Sequence, residues 1–291
     1  MRQIPILHID QFEHEETLED FYCNDLALHL RKNNKIVYKP HSHDFFLCVF
    51  FSKGSGVHEI DFDHYPVEPG SVFFLRPGQT HCWTFEDTPE GYIFFHTQSF
   101  YEFYFSNKQL SQFPFYYSPK NPPNLSLTSM EIQPIEHRFQ EIYREYGRSA
   151  PYKRQKLVSL VDLSYIDLAR IYGNMEPVER KTSTTYLETL NALEKAIESA
   201  YKTEKSAAFY ADQLHITPKH LNRIVKTTLN KTTTELIADR VFLEAKRLIV
   251  HSGNTLSTIA ILLGYEDYAY FSKVFKQRTG MTPLGFKKKY K

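Results

Sequence analysis

Two stretches in the last third of this 291-residue chain follow one plan, a short helix, a tight turn and a second helix, and that plan admits few folds. In the first stretch Ser206 can cap a helix over 207–214, and His215-Ile216 makes the turn. Thr217 caps the second helix, and Pro218 opens it, at a position where a missing N–H costs nothing. Helical spacing turns Leu221, Ile224 and Val225 inward and leaves Lys219, His220, Asn222, Arg223 and Lys226 outside. A long helix is expected over 234–250, stopped at Ser252-Gly253-Asn254. The plan then recurs. A helix over 256–263 ends at Gly264 in a left-handed cap, and Asp267 caps the helix that follows. That helix buries Phe271, Val274 and Phe275 and exposes Tyr268, Ala269, Ser272, Lys273 and Lys276. Pro283 opens a last short helix ending in Lys287-Lys288-Lys289.

A helix fits the DNA major groove. There Arg and Asn can make two-pronged contacts to guanine and adenine, and Lys neutralises phosphate. The charge distribution agrees. From Lys181 onward 18 basic residues stand against 10 acidic ones, a net of +8, while the rest of the chain carries −7, which the overall +1 conceals. A chain divided this way is expected to meet a polyanion with one part only.

The ordered set Ile259-Ala260, Gly264-Tyr265, Tyr270-Phe271, Phe275-Lys276 and Gly280-Met281-Thr282-Pro283 resembles the signature of the AraC family of transcription regulators. Arg240 and Ala245 in the linking helix, and Leu221-Asn222-Arg223 in the first motif, fit the same family, and the likeness covers about 187–289. Tyr265, Lys273 and Phe286 stand where the family commonly has Phe, Arg and Tyr. Lys273 matters most, because lysine cannot make the planar two-pronged contact of arginine. The resemblance implies two recognition helices held about 34 Å apart in successive major grooves of double-stranded DNA. It further implies a homodimer, RNA polymerase as a further partner, and a cytoplasmic location.

The first part of the chain reads differently. From about Ile36 to His96 short runs rich in Phe and Val alternate with turns at Gly54, Pro69-Gly70 and Pro77-Gly78, the pattern of a β-sandwich or barrel. His41-Ser42-His43 and the later His81 resemble the cupin pattern, in which strand-borne histidines converge inside a barrel. Cupin metal sites usually add a glutamate four residues after the second histidine, and here that position is Leu47. The missing glutamate argues against a metal, and the resemblance to the sensor cupins of this family implies instead a pocket for a small-molecule effector, with no metal and no cofactor, for which His41, His43, Arg76, His81, Trp83 and His96 are the candidate residues. Arg76 would suit a carboxylate or phosphate on the ligand, or cover the barrel rim. The alternative is a metal-dependent cupin enzyme with an accessory DNA-binding tail. The missing glutamate speaks against it, and the chain is read as a regulator, not an enzyme.

The whole is an α+β multidomain chain: a cupin-like effector-binding and dimerisation domain over 1–172, a linker over 173–186, and a two-motif DNA-binding domain over 187–291. Helices are expected over 130–147 and 152–172. Leu157, Val161, Leu168 and Tyr172 form a stripe on the second, to pack within the domain or to serve as a dimer seam. Cys23, Cys48 and Cys82 form no CxxC pair, which suits a reduced, intracellular protein. The acidic start lacks the apolar core of a secretory signal, and no apolar run is long enough for a membrane span.

Overall fold

A computed structural model describes residues 5–12, 18–105, 110–117, 121–175, 184–229 and 231–290. The chain divides into two compact units, Pro5–Val178 and Glu179–Lys291.

The first unit carries strands β1 (Ile6–Leu7), β2 (Phe21–Asp25), β3 (Ser42–His43), β4 (Phe46–Lys53), β5 (Gly56–Ile60), β6 (Asp63–Val67), β7 (Ser71–Leu75), β8 (His81–Phe85), β9 (Glu90–His96) and β10 (Asn124–Ser126). Its helices are α1 (Leu26–Lys32), α2 (Asn34–Val37), α3 (Gln98–Glu102), α4 (Pro114–Tyr117), α5 (Ser129–Tyr146) and α6 (Lys153–Met175). A five-stranded sheet runs β10-β7-β4-β9-β2, and a three-stranded sheet runs β6-β5-β8. Ile36 and Val37 lie in α2, so the strand region begins later than its apolar residues suggest.

Strand alternation gives the large sheet two different faces. Leu47, Val49, Phe51, Phe73, Leu75, Ile93 and Phe95 pack with Ile60, Val67 and Trp83 of the small sheet in one core. Phe46, Cys48, Phe50, Val72, Phe74 and Phe94 point the other way, into a second core with Phe139 and Ile142 of α5 and Leu157, Val161 and Leu168 of α6. The α6 stripe is therefore consumed inside its own unit. Of its four residues, Tyr172 is only half-buried, and its hydroxyl donates to the Pro122 carbonyl at 3.0 Å.

A buried polar chain ties the sheet to α6. The His96 Nδ1–H donates to the Thr97 carbonyl at 2.9 Å, so His96 Nε2 accepts from the Tyr165 hydroxyl at 2.7 Å. Tyr116 lies 3.1 Å from the same hydroxyl. Removing one partner strands a buried acceptor. Tyr165→Phe is expected to cost about 1–3 kcal/mol in urea unfolding. Pairing it with His96→Phe should cost less than the two single changes together, and strict additivity would refute the coupling.

The second unit is all helical: α7 (Thr184–Ala200), α8 (Ala207–Gln213), α9 (Pro218–Leu229), α10 (Thr233–His251), α11 (Leu256–Leu262), α12 (Tyr268–Thr279) and α13 (Pro283–Tyr290). Helix α10 starts one residue before the expected boundary at a capping box, where the Thr232 hydroxyl accepts from the Glu235 N–H and the Glu235 carboxylate accepts from the Thr232 N–H. Helices α6 and α7 extend into both ends of the expected linker, whose residues 176–183 lie outside the described residues.

Candidate functional site

Inside the first unit, histidines gather on the inner side of the small sheet. Pairing of β5 with β8 sets His58 opposite Trp83 and Ile60 opposite His81, so all four side chains share one face. The His41 N–H donates to the His81 carbonyl at 3.1 Å and the His81 N–H returns the bond at 2.8 Å, bringing the two rings to 4.2 Å. His43, which follows on β3, stacks on Phe45 at 4.5 Å and lies 5.2 Å from His81. The Trp83 ring is 5.0 Å from both His58 and His81. His41, His43, His58, His81 and Trp83 are all buried.

Burial holds these rings neutral. It pushes His43 down to about 3 and lowers His41, His58 and His81 as well, with His41 further opposing charge on the other three. The neutral rings have definite donor and acceptor roles. A carbonyl oxygen only accepts, so His43 Nδ1, 2.7 Å from the Phe45 carbonyl, carries the hydrogen and leaves Nε2 as an acceptor. His58 Nε2 and His81 Nδ1 are 2.9 Å apart and share one hydrogen. Whichever ring donates it, the far nitrogens of the pair present one donor and one acceptor. Those far nitrogens, His58 Nδ1 and His81 Nε2, are buried without a hydrogen-bond partner, as are His43 Nε2 and the Trp83 Nε1–H. The cluster thus offers two unmet donors and two unmet acceptors. Among the described residues no group of three or more His, Cys, Asp or Glu side chains is arranged to hold a metal ion.

The six residues expected to line one pocket separate in the structure. His41, His43, His81 and Trp83 come together. His96 does not join them: it follows Phe95 on β9, alternation turns it to the α6 side, and burial lowers it to about 4. Arg76 stands half-exposed on the turn after β7, where its N–H donates to Gln79 Oε1 at 2.8 Å. His58 was not among the expected residues. Its signal in the sequence was the alternation of Val57-His58-Glu59-Ile60, which puts it on the face of Ile60.

In the second unit the two helix pairs share one hydrogen-bond pattern. The Leu214 N–H donates to Tyr210 O at 3.1 Å, as the Leu263 N–H donates to Ile259 O at 3.1 Å. His215 N–H to Asp212 O and Gly264 N–H to Ile261 O both measure 2.9 Å. Ile216 N–H to Ala211 O and Tyr265 N–H to Ala260 O both measure 3.0 Å. His215 and Gly264 hold the same left-handed position, at φ 53 and 71. Helices α9 and α12 are each 12 residues long.

These helices expose corresponding positions: Lys219 with Ala269, Arg223 with Lys273, and Lys226 with Lys276. Thr227 and Gln277 extend the same face, and Tyr270 is 59% exposed, three residues the outward-facing sets omitted. His220, Tyr268 and Ser272 are half-buried. Asn222 is half-buried too, and its Oδ1 accepts from the Thr233 N–H at 3.0 Å, at the start of α10. Arg240 braces the linking helix: its guanidinium donates to Glu198 of α7 at 2.5 and 2.7 Å and to Glu244 at 3.2 Å, and lies 4.0 Å from the Tyr201 ring.

Comparison with known proteins matches residues 25–160 to an AraC-like ligand binding domain and residues 210–289 to a helix-turn-helix domain. The chain is 21% identical to the HTH-type transcriptional activator RhaR of Mannheimia succiniciproducens, over 89% of its length and 91% of that protein. With the activator of the same name from Salmonella dublin the identity is 22%, covering 97% and 95%. Among solved structures, ToxT from Vibrio cholerae is 13% identical with a TM-score of 0.43, covering 91% of this chain and 96% of that one.

Proposed function

The chain belongs to the AraC family of transcription regulators, and from that premise we propose that it activates transcription as a homodimer by placing α9 and α12 in successive major grooves. The observation that carries this reading is the shared exposure of Lys219, Arg223 and Lys226 in α9 and of Ala269, Lys273 and Lys276 in α12. His220, Tyr268 and Ser272 border that face. The protein works in the cytoplasm beside RNA polymerase and is not an enzyme. Genome-wide capture of DNA on the purified protein tests this. Discrete sites with two contacted major-groove segments, blurred when Arg223 and Lys273 are both changed to alanine, support it. Capture no better than non-specific binding overturns it.

The effector is an uncharged molecule bearing hydroxyl groups, held by His43, His58, His81 and Trp83, with His41 against the His81 ring. A hydroxyl both donates and accepts, which answers two unmet donors and two unmet acceptors. A carboxylate only accepts and an ammonium only donates, so either leaves two buried atoms unmatched. Trp83 is the single tryptophan, and its emission reports the site directly. Emission should shift with an uncharged polyol and not with the acid of the same carbon skeleton. His43→Phe should weaken the response about tenfold. A response confined to acids would overturn the assignment.

A further inference from the structure

Because α9 and α12 are each 12 residues long and bury Leu221 and Phe271 at the same helical position, their outward residues can be compared position by position. The first motif presents Lys219, Arg223, Lys226 and Thr227, where the second presents Ala269, Lys273, Lys276 and Gln277. Of these eight side chains, Arg223 is the one that can grip guanine O6 and N7 with a planar fork. It is exposed and forms no ion pair with any described residue. A bidentate contact to adenine needs both the oxygen and the nitrogen of an amide. Asn222 has already committed its oxygen to the Thr233 N–H, so it positions α9 against α10 and does not read a base. Gln277 retains both amide atoms but lies far along α12, away from the N-terminal part that reaches base edges in helix-turn-helix complexes. Near that end α12 offers the methyl of Ala269 and the 59% exposed ring of Tyr270, groups that meet a thymine methyl by apolar contact.

Resting on the DNA-binding reading above, we infer that the motifs divide the work unequally: Arg223 reads a guanine through the first motif, while the second grips phosphates and tolerates A·T-rich sequence. The operator has one sharply defined half and one degenerate half.

Selection of full-length protein on random duplexes tests this, with Arg223→Ala, Arg223→Lys, Lys273→Ala and Lys273→Arg alongside the parent. The parent should enrich a site with one strong guanine in one half only. Arg223→Ala should lower affinity for that site about 10- to 100-fold and abolish the guanine preference. Arg223→Lys should keep general affinity for duplex DNA while losing the same preference, which separates readout from folding. Lys273→Ala should weaken all sequences alike and reduce the slope of log affinity against log salt by about one. Lys273→Arg should add a guanine preference to the second half. Two equally sharp halves in the parent site, or a base preference moved by Lys273→Ala and untouched by Arg223→Ala, would overturn the division of labour and leave DNA binding standing. Failure of the parent to enrich any sequence would overturn DNA binding, and the division with it.

Discussion

Lowering the pH from 7 to 5 is expected to unfold the first unit while the second stays folded. Six histidines are buried there: His29, His41, His43, His58, His81 and His96. Burial lowers each of them, His29 and His43 to about 3 and His96 to about 4. Above the ordinary histidine range, folded and unfolded chains are both neutral and these groups leave stability unchanged. Below about pH 6.5 the unfolded chain takes up protons that the folded one refuses, so stability falls with pH until the folded values are reached. Each ring held well down costs about 1.4 kcal/mol per pH unit in that window, and the five such rings, His29, His43, His58, His81 and His96, together cost on the order of 7 kcal/mol per unit. A domain stable by about 5–15 kcal/mol is exhausted within one to two units. Exposed His8, raised by its hydrogen bond to Asp44, opposes this only weakly. The second unit has one comparable group, His251, lowered by burial. Trp83 emission should show a steep transition near pH 5, with α-helical circular dichroism partly retained. An unchanged emission spectrum down to pH 4.5 would contradict the burial of these rings.

Gly264→Ala should be among the most damaging single changes in the second unit, costing about 2–4 kcal/mol. Two effects combine. Its φ of +71 lies where a side chain is strained, and a Cβ there would sit 2.1 Å from the Lys202 carbonyl oxygen, a backbone atom with little room to move. The counterpart in the first motif provides a control of opposite sign. His215 holds the same left-handed conformation at φ 53 with its side chain exposed. His215→Gly relieves that strain at some cost in chain entropy, so it should raise stability by up to about 1 kcal/mol. Thermal unfolding of the full chain, followed by helical circular dichroism, should move in opposite directions for the two variants. A Gly264→Ala protein that melts with the parent would mean that the turn packs less tightly against Lys202 than described.

The second unit was the more legible in the sequence. Its turns are local events, each announced by a cap and a glycine or proline: Ser206, Thr217-Pro218, Gly264, Asp267 and Pro283 all act where their chemistry suggests. The Thr232–Glu235 capping box carries an equally local signal and sets the start of α10 one residue before the expected boundary. In the first unit the strands bounded by Gly and Pro were legible, whereas β2 and β6 were not. The β2 sequence Phe21-Tyr22-Cys23-Asn24-Asp25 is buried on both faces and passes straight into α1, with its last residue, Asp25, serving as the helix cap. Strand β6 contains Pro66, which is tolerated because β6 is an edge strand. The histidines were found by residue type, but their grouping depends on which face each strand presents. That rule excludes His96 and includes His58. The engagement of Asn222 lay beyond any local reading, since its partner belongs to the next helix.

The large sheet is a single layer of backbone with a different environment on each side. On the inner side, His43 stacks on Phe45 at 4.5 Å, and Phe45 stacks on Phe95 at 4.6 Å. On the outer side, the residue after Phe95 is His96, which holds Tyr165 of α6. Between the inner rings and the helices behind the sheet there is therefore one strand, and crossing it takes a single peptide bond. If the inner rings hold the effector as proposed, the path from them to α6 runs through Phe45, Phe95 and His96 to Tyr165, so α6 is the element expected to move first.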